Sequence, residues 1–244
     1  MTAAPTPVHQ RAPRHHSRWV AALLFLVLVE TTLLLVLLFR SDAFDGSSSP
    51  GVHGSGIAVS QTRELALFKS VELAGSNNVI VDVGHEQSVV VHADDNLLRY
   101  VTTRVRAMRL VVGNLSGSFS TKSPMWVEIR VPTLTALRLT GSGTVSARGI
   151  DSRVLRATLD GNGVLRATGT ATRLFADVGG SGDAQLQQLI ARDVHAVVNG
   201  SGRILVTATD RLDASIPGSG AVVYLGHPLR VSTSVTGSGA VIPG

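Results

Sequence analysis

Gly141-Ser142-Gly143, Gly161-Asn162-Gly163, Gly180-Ser181-Gly182, Gly200-Ser201-Gly202, Gly218-Ser219-Gly220 and Gly237-Ser238-Gly239 punctuate residues 134–244. The steps between their first glycines are 20, 19, 20, 18 and 19 residues. One such triplet is commonplace, but six at near-constant spacing mark an internal repeat. Two residues before the triplets stand Leu139, Leu159, Val178, Val198, Ile216 and Val235. Four before stand Leu137, Ala157, Ala176, Ala196, Ala214 and Thr233, and four after the first glycine stand Val145, Leu165, Ala184, Ile204, Val222 and Val241.

Apolar residues therefore alternate with period 2 on both sides of each bend, which is the period of a strand and not of a helix. Each unit reads as strand, glycine bend, strand, turn. One unit cannot bury its apolar side alone, whereas units stacked in register share a continuous core. The fold expected is all-β: a single-stranded parallel β-helix of about 19–20 residues per rung. With successive rungs about 4.8 Å apart, such repeats build a narrow rod.

The glycines share the parity of the inward apolar residues. A side chain there would strike the neighbouring rungs, or the bend needs a positive φ; glycine answers both demands. The middle residues Ser142, Asn162, Ser181, Ser201, Ser219 and Ser238 then stack outward as a polar ladder, read here as structural. Composition agrees with a thin aliphatic interior, since hydrophobic residues make up 44 % of the chain but aromatics only 4 %.

Upstream, Val79 to Val83, Val89 to Val91, Leu110 to Val112 and Trp126 to Val131 are strand-like runs separated by turn residues. Gly75-Ser76-Asn77 resembles a degenerate triplet. The domain is expected to run over 57–244, with 57–133 as a less regular opening or capping half and 134–244 as the regular half. Residues 40–56, rich in glycine and serine, read as a flexible linker.

Ahead of the linker, Trp19 to Phe39 is a 21-residue apolar stretch carrying one charge, Glu30. As a helix it would span about 31 Å, the thickness of a bilayer's hydrocarbon core. Arg11, Arg14 and Arg18 precede it, and Asp42 and Asp45 follow. Residues 1–18 are thus expected to form a cytoplasmic basic tail, 19–39 a transmembrane helix in the lipid bilayer, and the rest an extracytoplasmic body. The apolar run exceeds that of a signal peptide, which favours an uncleaved anchor. Glu30 is a candidate contact with a partner helix or a carboxyl tolerated in protonated form.

Net charge argues against nucleic acid: beyond residue 40 the chain has 18 basic and 16 acidic residues, with no basic block interleaved with aromatics. No cysteine is present, so disulfides and thiolate chemistry are excluded. No cofactor or metal is expected. Gly179-Gly180-Ser181-Gly182-Asp183 approaches a calcium-binding solenoid repeat, but the aspartate comes one residue early and no other rung repeats it. His85, His92, His195 and His227 lack metal-ligand spacing.

Hydrolysis of a polysaccharide would need carboxylates converging on one face, yet Asp160, Asp177, Asp183 and Asp213 fall at four different repeat positions. Phe175 and His195 share one outward position on neighbouring rungs beside Arg156, a candidate glycan contact. Leu205, Val223 and Ile242 share another, and with Leu225 they form a candidate interface for self-association or a protein partner.

The order Leu67-Phe68-Lys69-Ser70-Val71-Glu72-Leu73-Ala74-Gly75-Ser76-Asn77, then Val79 to Gly84, then Val127-Glu128-Ile129-Arg130-Val131-Pro132 leading to Leu137-Arg138-Leu139-Thr140-Gly141-Ser142-Gly143, resembles the bacterial family described as "putative auto-transporter adhesin, head GIN domain". The resemblance covers about residues 57–244 and implies a right-handed parallel β-helix in the cell envelope. It supplies no catalytic residues. The expectation is a non-enzymatic envelope protein for adhesion or for binding a wall polymer or protein. The alternatives are an envelope sensor acting through Glu30 and a polysaccharide-active enzyme.

Overall fold

The structure, a computed structural model, describes residues 51–244. The basic tail, the 19–39 segment with Glu30, and residues 40–50 lie outside the described residues. Among the described residues no helix is long and apolar enough to cross a membrane, and Leu98–Tyr100 forms a short 3-10 turn.

About five turns of a β-solenoid wind continuously through the triplet repeats. All strand pairings from Ala136 onward are parallel and in register with the repeat, so Leu137 lies over Ala157, Ala157 over Ala176, and Ala176 over Ala196. Between Thr144 and Ile216 the triplet is the only sharp interruption of each coil, whereas the following coil also breaks at Gly226, between Ala221–Leu225 and Arg230–Val235. Thr144–Gly161, Val164–Val178, Asp183–Val198 and Arg203–Ile216 each start just after one triplet and end at or close to the next. The second turn expected from the sequence is therefore a corner inside a continuous strand. Register shifts between Ala147 and Ile150, Arg166 and Thr168, and Leu186 and Ile190 mark it. Bulges of this kind turn a strand while keeping its ladder of backbone hydrogen bonds largely intact.

The inward columns are aliphatic, as period 2 demands. Leu139, Leu159, Val178, Val198 and Ile216 are each completely buried, and the cluster they belong to runs through the described body, with Phe68 its one fully buried aromatic. Each such aliphatic side chain contributes roughly 1.5–3 kcal/mol of transfer free energy before ordering costs.

Residues 57–133 cap one end, and they do so out of sequence order. The first repeat in the chain, Ser70–Ala74 and Asn78–Val83, is the second layer in space. Above it lie Ala136–Gly141 and the start of Thr144–Gly161; below it lie Arg109–Asn114 and Trp126–Val131, again parallel. The chain thus starts one layer in, descends to the outer layer, then crosses both to begin the regular stack. The outer layer is closed by antiparallel partners: Val101–Arg106 on Arg109–Asn114, Ser88–Asp94 on Trp126–Val131, and Ala58–Thr62 on Ser88–Asp94. Arg109, Glu72, Arg138 and Asp160 form a chain of ion pairs at 3.1, 3.9 and 2.6 Å that stitches the displaced layers together.

The folded body also begins earlier than Ile57. Val52–His53 pairs with Phe119–Ser120, Gly54 is buried, and the Gly56 N–H donates to Asp94 at 3.1 Å. The Gly/Ser composition that reads as a flexible tether here serves close approach: a Cβ on Gly54 would overlap the Asp94 carboxylate.

Candidate binding surface

The triplet corner is built by steric exclusion. A Cβ on the first glycine of any triplet would overlap the carbonyl oxygen of the first glycine one layer back, from Gly141 on Gly75 to Gly237 on Gly218. A Cβ on the second glycine would meet both a carbonyl and the inward aliphatic side chain of the preceding coil: Leu139 beneath Gly163, Val178 beneath Gly202, Val198 beneath Gly220. Positive φ applies only to some, with Gly141 at 134° and Gly161 at 155°. Close approach is therefore the shared requirement. It allows the first-glycine carbonyl to accept two N–H groups from the next coil, as Gly141 does from Asn162 at 3.0 Å and Gly163 at 3.1 Å.

Gly75-Ser76-Asn77 sits directly beneath Gly141-Ser142-Gly143, so the degenerate triplet occupies the same corner. Asn77 is buried and exchanges reciprocal amide bonds with Asn114, at 2.8 and 3.2 Å, closing the corner at the capped end. Ser142, Asn162, Ser181, Ser201, Ser219 and Ser238 point outward and are exposed. Among the described residues their side chains make no hydrogen bonds, and the ladder through this corner is a backbone one.

Acidic groups along the stack are mostly tied to arginine. Asp183, the aspartate of the near-calcium motif, receives Arg203 at 3.0 Å, and this bond holds its carboxyl below the usual carboxylate range. No cluster suited to a metal ion occurs among the described residues. His92 stacks on Trp126 with ring centroids 4.2 Å apart and shares its Nδ1 with Ser60 at 2.8 Å; both residues sit on the capping strands.

A groove of about 420 Å³ lies on the outer face of the strands that precede the triplets. Two in-register columns build it. One runs Arg156, Phe175, His195, Asp213; the other runs Arg173, Asp193, Arg211, Arg230. The second column stands seven residues before each of the last four triplets, a regularity of charge rather than of hydropathy in the sequence.

Arg156, Phe175 and His195 come together as expected, but with different roles. The Arg156 guanidinium lies 4.5 Å from the Phe175 ring centroid, and the His195 ring meets Phe175 edge-on at 6.0 Å. Phe175 is half-buried and already partly covered. Its ring faces the Arg156 guanidinium at cation–π distance.

Charge in the groove is unevenly spent. Arg192 binds Asp210 at 3.0 Å and Arg211 binds Asp213 at 2.8 Å, and these bonds raise the affinity of both guanidinia for their protons. Arg156, Arg173 and Arg230 make no ion pair among the described residues. Beside them, burial pushes the Asp177 carboxyl up, partly opposed by His195 and Arg156.

The apolar column Leu205, Val223, Ile242 is also in register, with Leu225 two residues beyond Val223. Leu205, Val223 and Leu225 are half-buried and Ile242 is 45 % exposed. The upstream half covers the other end of the stack, so it does not cover this column. In the last coil Val231 and Val235, which follow the inward parity, are 45 % and 42 % exposed.

The same architecture occurs in solved structures. A putative adhesin from Bacteroides fragilis NCTC 9343 matches with a TM-score of 0.68 at 20 % identity, covering 80 % of this chain and 100 % of that one. A putative lipid binding protein from Parabacteroides distasonis ATCC 8503 matches with a TM-score of 0.52 at 21 % identity, covering 79 % of this chain and 99 % of that one. A putative adhesin from Parabacteroides merdae ATCC 43184 matches at 0.51 and 17 %, covering 79 % and 98 %. At such identities the likeness is one of fold. A search of curated proteins finds no match. The family model described as "Putative auto-transporter adhesin, head GIN domain" matches residues 67–228, from the first layer in the chain to the turn after Ala221–Leu225, and the chain belongs to that family.

Proposed function

We propose that this protein is a non-enzymatic binding module of the cell envelope, in which residues 19–39 hold the solenoid outside the membrane and its flank engages an envelope polymer or protein in adhesion. The observation that carries this reading is the groove's construction. It is open and runs across successive coils, so the same outward positions recur at the coil spacing. Such a surface suits a ligand that is itself extended and repetitive. It also suits catalysis poorly. Asp210 and Asp213 are each paired with an arginine, Arg192 and Arg211, whereas a hydrolase needs two carboxyl groups converging on the scissile bond. Membership of an adhesin-described family points the same way.

The test uses the full chain in its own membrane. Protease applied to intact cells should remove the solenoid body and leave the N-terminal tail. Vesicles carrying the chain should retain polymer or protein from the envelope, while vesicles lacking it should not. A protected body, or no retention of any envelope component, overturns the proposal. Turnover of wall glycans by the purified chain would replace it with the enzymatic reading.

A second reading rests on the last coil. Arg230–Val235 is bonded along one edge, to Arg203–Ile216, and its inward-parity valines are open. A free edge of this kind pairs readily with another strand. The occupant proposed is the same coil of a second copy in antiparallel pairing, which sets Arg230 of one strand opposite Val235 of the other and brings no like charges together. Detergent-solubilised full chain should then have the mass of a dimer, and Val235→Lys should return it to a monomer. A monomer at every concentration rejects the reading.

A further inference from the structure

We infer that the groove between Phe175 and Arg230 is a binding site for an anionic polysaccharide, recognised through Arg156, Arg173 and Arg230. This rests on the proposed binding role and specifies its ligand class and residues.

The argument is one of unspent charge. The groove is lined by Arg173, Arg192, Arg211 and Arg230 against Asp193, Asp210 and Asp213. Two of these aspartates are engaged by Arg192 and Arg211, which leaves Arg173 and Arg230 with free forks. Arg156 adds a third guanidinium at the groove's side, fixed over the Phe175 ring at 4.5 Å. Stacking in this way spends none of its hydrogen-bond donors, all of which remain for a ligand. Planar guanidinia carry a permanent charge and bind carboxylate or phosphate through two parallel N–H donors.

Geometry adds a spacing. Arg156 and Phe175 are paired neighbours on adjacent coils, Arg173 pairs with Asp193, and Arg211 pairs with Arg230. The cations therefore sit at multiples of about 4.8 Å along the stack, with Asp193 on the coil between Arg173 and Arg211. Arg173 and Arg230 are three coils apart, so roughly 14 Å separates their positions. A linear glycan with an acidic group on every few residues can span that distance and meet both ends. A small anion would reach one end at a time. A neutral glycan would leave the guanidinia unanswered, and the covered Phe175 ring offers it little face to stack on. His195 and Asp193, between the charged ends, supply hydrogen-bonding groups for hydroxyls.

The experiment measures binding of the full chain, reconstituted in nanodiscs, to immobilised polygalacturonate, polyphosphate and neutral dextran across a salt series. Polygalacturonate should bind, dextran should not, and affinity should fall as salt rises. Arg173→Ala with Arg230→Ala should weaken the acidic glycan at least about tenfold. Arg148→Ala, on the other flank, should leave binding unchanged. Phe175→Leu should weaken it less, and Arg156→Ala with Phe175→Leu no more than Arg156→Ala alone, because the ring acts through that guanidinium. Polyphosphate distinguishes carboxylate from phosphate recognition: equal or stronger binding reassigns the ligand to phosphate polymers and overturns the glycan assignment. Unchanged polygalacturonate binding in the double variant, or equal binding of dextran, also overturns the inference. If vesicles bearing the double variant still retain envelope components, the binding role stands and only this site falls. If the unaltered chain retains nothing, the broader role falls with it.

Discussion

The regular stack and the capping half bury the same kind of aliphatic core, yet they are held by different means. From Ala136 onward one solution recurs at every coil: a glycine pair that lets backbone lie on backbone, with a small aliphatic knob tucked beneath. In residues 52–131 no solution recurs. Layers are out of chain order, strands turn antiparallel, and particular polar groups fix the joints. Repetition makes each coil's stability the sum of similar neighbour terms, whereas the cap depends on single contacts without a duplicate.

The largest effect should come from breaking the repeat at its tightest point. A Cβ on Gly202 would overlap the Gly182 carbonyl and press on the Val178 side chain. Backbone locked between two layers cannot retreat, so Gly202→Ala should cost about 3 kcal/mol or more. Ser201→Ala, one residue away and exposed, should stay within about 0.5 kcal/mol. Equilibrium denaturation of the two variants tests this contrast. Equal stabilities would mean that the triplet is not a steric device.

Next in size is Asp94. It is fully buried and accepts from the N–H groups of Gly56, Lys122 and Ser123 at 3.1, 2.8 and 3.2 Å. The Ser123 side chain and these amides hold its carboxyl below the usual range. A carboxyl with a depressed folded pKa stabilises above its unfolded value, about 3.9, and loses that contribution as pH falls through the folded value. Asp94→Asn should therefore lower the Tm by several degrees at neutral pH, and the gap should narrow in acid. Hydrogen exchange should show residues 52–56 and 119–123 opening first. A gap independent of pH would reject the clamp.

Asn77 sharpens the same contrast at the junction of the two regions. It stands where later coils have their second glycine, and its amide is matched only by Asn114. Asn77→Ala should cost about 1–3 kcal/mol, and Asn114→Ala should add little to it. Additive losses in a double-mutant cycle would show that the two amides act separately.

How far the fold could be read from the sequence follows the same divide. The coil, its inward columns and its corner glycines were legible because each fact was stated six times at one spacing. The order of layers was not, since Ser70–Ala74 carries the same local pattern wherever it stacks; only the partner it finds, Ala136–Gly141, tells its place. Val52 to Gly56 looked like a tether because glycine and serine have one composition whether they lie free or pack on Asp94. At the groove, Phe175 and His195 were found by their shared repeat position. The charged column Arg173, Asp193, Arg211, Arg230 is equally countable, seven residues before each of the last four triplets, but its meaning depends on which guanidinia are already paired.

The smallest expected effect has the opposite sign. Asp177 lies on the stack beside the groove, where burial raises its carboxyl above the ordinary range, with Asp160 adding to the shift and His195 and Arg156 opposing it. A carboxyl whose folded pKa is raised favours the fold below its unfolded value and loses that favour as pH rises through the folded value. Ionised Asp177 is thus a mild liability at neutral pH. Asp177→Asn should raise the Tm slightly there and change nothing well below pH 4, whereas Asp94→Asn lowers it. The same variant removes a negative charge from the neighbourhood of Arg156, so it should modestly tighten polygalacturonate and leave dextran unaffected. A gain in stability without a gain in affinity would separate the carboxylate from the site. A loss of both would mean that Asp177, like Asp94, is a clamp, and the distinction between a repeating stack and a polar-jointed cap would fail at that coil.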